Sequence, residues 1–160
     1  MLKIKIITVG ALSEKHWKDA CAEYRKRLSA KADLEEIQLK EEPLSKNPSA
    51  GEIKKALDAE GEKILAEIPK RAMAVSLCVE GKQYSSEALA EIIGDAAVSG
   101  VSEICFVIGS SYGLSDRVKS ASRLKLSMSA LTFPHQLARV MLYETVYRSF
   151  TILGGEKYHK

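Results

Sequence analysis

Apolar and polar positions along this chain alternate between two periods. At residues 2–9, LKIKIITV interleaves lysine with isoleucine and leucine, a strand pattern that Gly10 ends. At residues 17–28 the spacing becomes helical. Trp17, Cys21, Tyr24 and Leu28 make one stripe, and Arg25, Lys26 and Arg27 gather near the end, where cations suit the helix dipole. Residues 34–39 read as a second strand, and residues 41–48 as a polar loop with two prolines. Ser49 and Glu52 then form a capping box for a helix that Gly51 and Gly61 weaken. Residues 72–79 and 104–108 are short apolar runs, the pattern of strands buried on both faces. Between them Ser85 or Ser86 caps a helix ending near Gly100. GSSYG at 109–113 is a turn, 115–121 a short helix, 124–128 the last strand and 134–150 the last helix, with Pro134 suited to its first turn.

The order β-α-β-α-β-α-β-(α)-β-α predicts an α/β domain of three layers, α/β/α, with a mostly parallel sheet over residues 1–160. In such sheets ligands sit beyond the carboxyl ends of the strands. Three of those ends gather unusual residues: 77–81, 109–113 and 128–133. Composition adds only boundaries. A chain of 160 residues buries enough surface to fold without disulfide or metal. A net charge of +3 permits a nucleic-acid partner without arguing for one. Cys21, Cys78 and Cys105 are far apart and read as reduced, mostly buried thiols, and His16, His135 and His159 lack the spacing of a zinc site. No apolar run has membrane-spanning length, and the N-terminal stretch reads as a strand, not a signal peptide. A soluble, cytoplasmic protein is expected.

Each candidate site has a plain reading beside a functional one. FVIGSSYGL is a buried strand followed by two glycines four residues apart, which is either a simple turn or a place where backbone approaches a ligand. It is neither a dinucleotide fingerprint nor a P-loop. LSMSALTFPHQ offers hydroxyls at Ser127, Ser129 and Thr132, and apolar surface at Met128, Leu131 and Phe133. It is either a ligand wall with a polar edge or a strand end with Thr132 capping the helix. The last helix has two apolar faces: Leu137, Ala138, Val140 and Met141 early, and Leu142, Tyr143, Val146, Tyr147 and Phe150 later. They need two covering surfaces, from a partner subunit or from the chain itself. His135 and Arg139 lie one turn apart on that helix. The tail GGEKYHK reads as a loose end or as an RNA-contacting strip made of Tyr158, His159 and Lys160.

Taken together, KIKIITVGALSEKHW, FVIGSSYGL and LSMSALTFPHQLARVMLYETVYRSFTILGGEKYHK resemble the ribosomal RNA large-subunit methyltransferase H family of the SPOUT superfamily, across essentially the whole chain. Ser110 departs from it, standing where a second glycine is expected. The resemblance implies a C-terminal trefoil knot. It implies S-adenosylmethionine as cofactor, held mainly through backbone at Leu77, at Gly109 and along Met128, Ser129, Ala130, Leu131, Thr132 and Phe133. It implies a homodimer and no metal. The implied reaction is methylation of N3 of a pseudouridine in large-subunit (23S) rRNA on the assembled ribosome. Attack by N3 requires loss of its proton. His135 is the candidate base or relay, because imidazole titrates near neutrality, and Arg139 the candidate partner of the anionic base or of a phosphate. The alternatives are a non-catalytic RNA- or ribosome-binding factor with the same fold, and a methyltransferase acting on another RNA.

Overall fold

Ten elements alternate along the chain in a computed structural model that describes residues 1–158. They are β1 (Lys3–Val9), α1 (Lys15–Ser29), β2 (Asp33–Leu39), α2 (Ala50–Ala66), β3 (Met73–Lys82), α3 (Ser86–Val98), β4 (Glu103–Ile108), α4 (Asp116–Ala121), β5 (Leu124–Leu126) and α5 (His135–Leu153). Local chemistry sets several boundaries. Ser49 and Glu52 form the expected capping box of α2. Ser85 accepts from the Ala88 amide at 3.1 Å to start α3, and Ser115 accepts from Val118 at 3.3 Å to start α4.

The sheet has the order β2-β1-β4-β3-β5, and every pairing in it is parallel. Its alternating side chains divide the core into two layers. Ile4, Ile6, Ile104 and Phe106 face α1, α3 and α5 through Cys21, Leu28, Leu89, Ile93, Leu142, Tyr143 and Val146. Ile7, Val9, Cys105 and Val107 face α2 and α4 through Ile64 and Val118. A three-layer α/β/α architecture results. Lys5 is buried on the second side, where its Nζ donates to the Glu67 carbonyl at 3.1 Å and pairs with Glu103 at 3.2 Å.

Four expectations need correction. The last strand stops at Leu126, two residues early, because Ser127 donates its amide to the Lys82 carbonyl and the chain turns away. β3 is buried only as far as Ser76 and then runs outward to Lys82, with a register shift against β5. Pro134 stands just before the last helix, and no side chain caps it, so Thr132 is not a cap. Finally, the two apolar faces of α5 have different fates. Leu142, Tyr143 and Val146 are covered by the chain's own core, at 0–2% exposure, while Tyr147 and Phe150 on the same face stay half-buried. Leu137 and Met141, one turn apart, stay half-buried and outside both core clusters.

Gly61 lets α2 dock on α4. A Cβ there would run into the Ser115 hydroxyl and lie 3.1 Å from the Ser115 Cβ and 3.3 Å from Val118 Cγ2. Ser115 cannot turn away without giving up the cap of α4. We expect Gly61→Ala to gain about 1 kcal/mol of helix propensity and lose about 1–3 kcal/mol to overpacking. A lower urea midpoint is the expected outcome; a raised one would show that the two helices have room to spare.

Glu60, next to Gly61, is 4% exposed and accepts hydrogen bonds from the Glu42 amide at 2.9 Å and the Ser110 hydroxyl at 3.2 Å. Burial pushes its carboxyl above the usual range, against the lowering effect of those bonds, and the Glu41 and Glu42 carboxylates add to the rise. The folded chain therefore holds a proton on Glu60 at pH values where the unfolded chain has lost it, and stability falls as pH rises through that window. Glu60→Gln is expected to melt higher than the wild type at pH 8, with the gap closing as pH drops towards 4. Thermal melts of both proteins across that range measure it.

Candidate active site

The ends of β3 and β4, the β5–α5 connection and the first turn of α5 enclose a cavity of about 400 Å³. Its walls include Leu77 to Glu80 from β3, Ile108 at the end of β4 with Gly109 to Leu114 after it, and Pro134, His135 and Ala138 from the mouth of α5. All three strand ends singled out in the sequence meet here. Leu77, Gly109, Met128, Ser129, Leu131, Thr132 and Phe133 line the cavity, and Ala130 does not.

The turn after β4 folds back on itself. The Gly113 amide donates to the Ser110 carbonyl at 2.8 Å, and Gly113 takes a φ of +90°. A Cβ on Gly109 would collide with the Gly113 carbonyl, 2.6 Å from its carbon, and would lie 2.9 Å from Leu114 Cδ2. Gly109 is thus required by the closure of its own turn, before any ligand is considered. The hydroxyls of the third wall are also engaged locally. Ser127 donates to the Ser129 carbonyl, and Ser129 accepts from the Leu131 amide, each at 3.0 Å. What this wall offers a ligand is backbone, the Thr132 hydroxyl and the apolar side chains of Met128, Leu131 and Phe133.

The polar triplet at the mouth of α5 separates. His135 faces the cavity. Gln136 makes two 2.9 Å bonds to Ser13, one from the Ser13 amide and one to the Ser13 hydroxyl. Arg139 is 4% exposed and points to the other side, where it donates to the Gly10 carbonyl at 3.0 Å and to Gln38 Oε1 at 3.4 Å. Burial lowers its pKa from the ordinary guanidinium value, opposed by nearby Cys21 and Glu36. Two of the three side chains therefore hold the loop after β1, and the expected pairing of Arg139 with His135 in one cavity does not occur within the chain. A long side chain rooted one turn away can leave on the far side of a helix, which spacing alone does not reveal.

Three cavity residues carried no clear signal in the sequence. Lys119 on α4 pairs with Glu80 and holds its carboxyl below the usual range. Cys78 lies beside them, its thiol pushed up by burial. Lys119 sits on a helix of six residues, too short for periodicity to assign it a face. Tyr158 does not line the cavity. It rests on α5, edge-on to Tyr147 at 5.0 Å and under the Arg148 guanidinium at 4.8 Å, and its hydroxyl donates to Glu144 at 3.2 Å. Burial, with Tyr24 and Glu144 nearby, pushes its phenol up to about 12. His159 and Lys160 lie outside the described residues. Among the described residues no cluster of three potential metal ligands occurs, and no helix is long and apolar enough to cross a membrane.

The profile of a family described as "Predicted SPOUT methyltransferase" matches residues 2–159. The chain belongs to the SPOUT methyltransferase family. It is 48% identical over 159 residues to the ribosomal RNA large subunit methyltransferase H of Bacillus pumilus, and 46% identical over 159 residues to that of Streptococcus thermophilus. Each alignment covers 99% of this chain and 100% of the relative. The fold is shared with a protein from Haemophilus influenzae described as "a probable methylase family protein", at a TM-score of 0.54 and 13% identity, over 98% of this chain and 70% of that one. In this SPOUT chain the cavity depends on Gly109 for its second wall. Gly109→Ala is expected to cost about 1–3 kcal/mol through the collision with Gly113. For a chain of this size that is a melting point lower by several degrees. An unchanged melting point would mean that the turn can open without loss.

Proposed function

We propose that the chain is an S-adenosylmethionine-dependent methyltransferase that modifies N3 of a pseudouridine in large-subunit rRNA of the assembled ribosome, acting in the cytoplasm as a homodimer. The observation that carries the reading is the convergence of Leu77, Gly109 and the 128–133 wall on one cavity that also receives His135. Family membership supplies the reaction class, and the names of the relatives supply the rRNA.

The residues present suit this cofactor. Leu77, Ile108, Leu114, Met128, Leu131 and Phe133 give apolar surface for an adenine face, and the adjoining backbone offers amides and carbonyls for its edge. The volume of about 400 Å³ falls within the range of small-molecule sites. The bound cofactor would supply an electrophilic methyl group. The work left to the chain is orientation, exclusion of water and removal of one proton. The walls fix the direction from which the target nitrogen approaches. His135 on the rim is placed to take or relay the N3 proton. Arg139 is engaged with Gly10 and Gln38, and in our reading it supports the loop after β1.

The homodimer rests on the open face of α5. Leu137 and Met141 leave an apolar strip of the helix outside the core, and Leu131 in the preceding connection is 69% exposed. The non-sequential return of β5 to the side of β3, ahead of α5, is compatible with the family's trefoil knot.

Calorimetry with S-adenosylmethionine, paired with methyl transfer from labelled cofactor to ribosomes lacking the modification, tests the whole reading. Binding with transfer is expected. Ribosome binding without cofactor binding would leave the chain a non-catalytic factor. Met141→Glu is expected to turn a dimer into a folded monomer in light scattering, since an unpaired charge is costly to bury. A monomeric wild type at micromolar concentration would sink that assignment. Deleting residues 158–160 is expected to lower ribosome methylation by about ten-fold or more, the worth of a lost base-stacking ring, with cofactor affinity unchanged. Full activity after truncation would remove the tail from RNA recognition.

A further inference from the structure

We infer that Glu60 is a positioning residue that fixes the 109–113 turn for the methyl donor through the Ser110 hydroxyl. The inference rests on the reading that S-adenosylmethionine occupies the cavity. Residues 109–113 all line that cavity, yet the turn has few anchors of its own. Ser111, Tyr112 and Gly113 are exposed. Among the described residues, the bond from Ser110 Oγ to Glu60 Oε1 is the one side-chain hydrogen bond the turn makes. The Gly113–Ser110 backbone bond closes the turn internally but does not tie it to the body of the protein.

The other oxygen of the same carboxylate accepts from the Glu42 amide, and Glu42 in turn pairs with Lys63 at 2.7 Å. One rigid helix therefore holds two segments at once, the loop after β2 and the cofactor turn. Gly61 brings the next part of the same segment, Ser115, into close contact. Among the described residues no lysine or arginine pairs with Glu60. A buried carboxylate without a cation is unfavourable for folding, and a leucine would fill the same volume without that penalty. Volume alone thus does not account for the carboxylate. Its two acceptor oxygens do, since each meets a donor on a different segment.

The test uses calorimetry with S-adenosylmethionine on the full chain. Ser110→Ala and Glu60→Leu should each weaken binding about ten-fold, while the double variant should be no weaker than Glu60→Leu alone, because both remove one coupled link. Glu60→Gln should stay within about two-fold of wild type. Its carbonyl can accept from the Glu42 amide and its amide can donate to the Ser110 oxygen, so both links survive. A merely structural role would give neither the coupling nor the rescue. Thermal melts confirm folding. If Glu60→Leu does not fold, Ser110→Ala and Glu60→Gln still decide the matter. Unchanged affinity in Ser110→Ala, or equal losses in Glu60→Leu and Glu60→Gln, overturns the inference while leaving the functional reading intact. A wild type that binds no S-adenosylmethionine overturns the functional reading and the inference together.

Discussion

Parallel pairing of β3 with β5 is the constraint on which the cavity depends. The regular pairing runs from Val75–Leu124 to Leu77–Leu126, and after a register shift Lys82 also pairs with Leu126. β5 ends at Leu126, and the Ser127 amide still bonds the Lys82 carbonyl at the far end of β3. A longer β5 would carry residues 127–133 along the sheet edge. Stopping at Leu126 releases them across the end of the sheet, where they meet the turn after β4 and the start of α5. A parallel sheet places all its carboxyl ends on one side, so a chain that leaves the outermost strand early naturally walls in the ends of its neighbours.

The start of α5 then locks two regions together. Gln136 and Arg139 grip the loop after β1 at Ser13 and Gly10, and His135 and Ala138 complete the cavity. The second half of the helix is fixed by Leu142, Tyr143 and Val146 in the core. A shift of the helix would move the cavity rim and the β1 loop at once. The buried guanidinium serves this purpose well: it is planar, keeps its charge, and reaches two acceptors on adjacent strand ends.

Most of the fold was legible in the sequence because period and caps agree. Ser49 with Glu52 starts α2, Ser85, one of the two serines expected, starts α3, and a short helix does occupy the stretch after Ser115. The apolar stretch at 104–108 is the buried β4. Misreadings arose where tertiary contact overrides local pattern. The end of β5 is set by a bond to Lys82, remote in sequence, and not by its own residues. The two apolar faces of α5 look equivalent along the chain, yet only the packing of α1 and α3 shows which one is already covered. The site was legible as three strand ends, since glycines and small hydroxyl residues there break the apolar pattern. The directions of Arg139 and Lys119 were not legible, because a flexible side chain is aimed by its partners. Glu60 was hidden for a related reason: in sequence it is one acid among many on a polar helix, and only burial distinguishes it.

The cavity divides labour between side chains that build its walls and groups that face its interior. Ser127 and Ser129 spend their hydroxyls on the loop itself, Ser110 on Glu60, and Gln136 on Ser13. The polar side chains that remain for the cavity are Ser111, Tyr112, Thr132 and His135, with the Cys78 thiol and the mutually paired Glu80 and Lys119. Besides these groups the cavity presents backbone amides and carbonyls and apolar side chains. Backbone groups are only as well placed as the turns that carry them. The anchors of those turns therefore shape the cavity as much as the residues that line it.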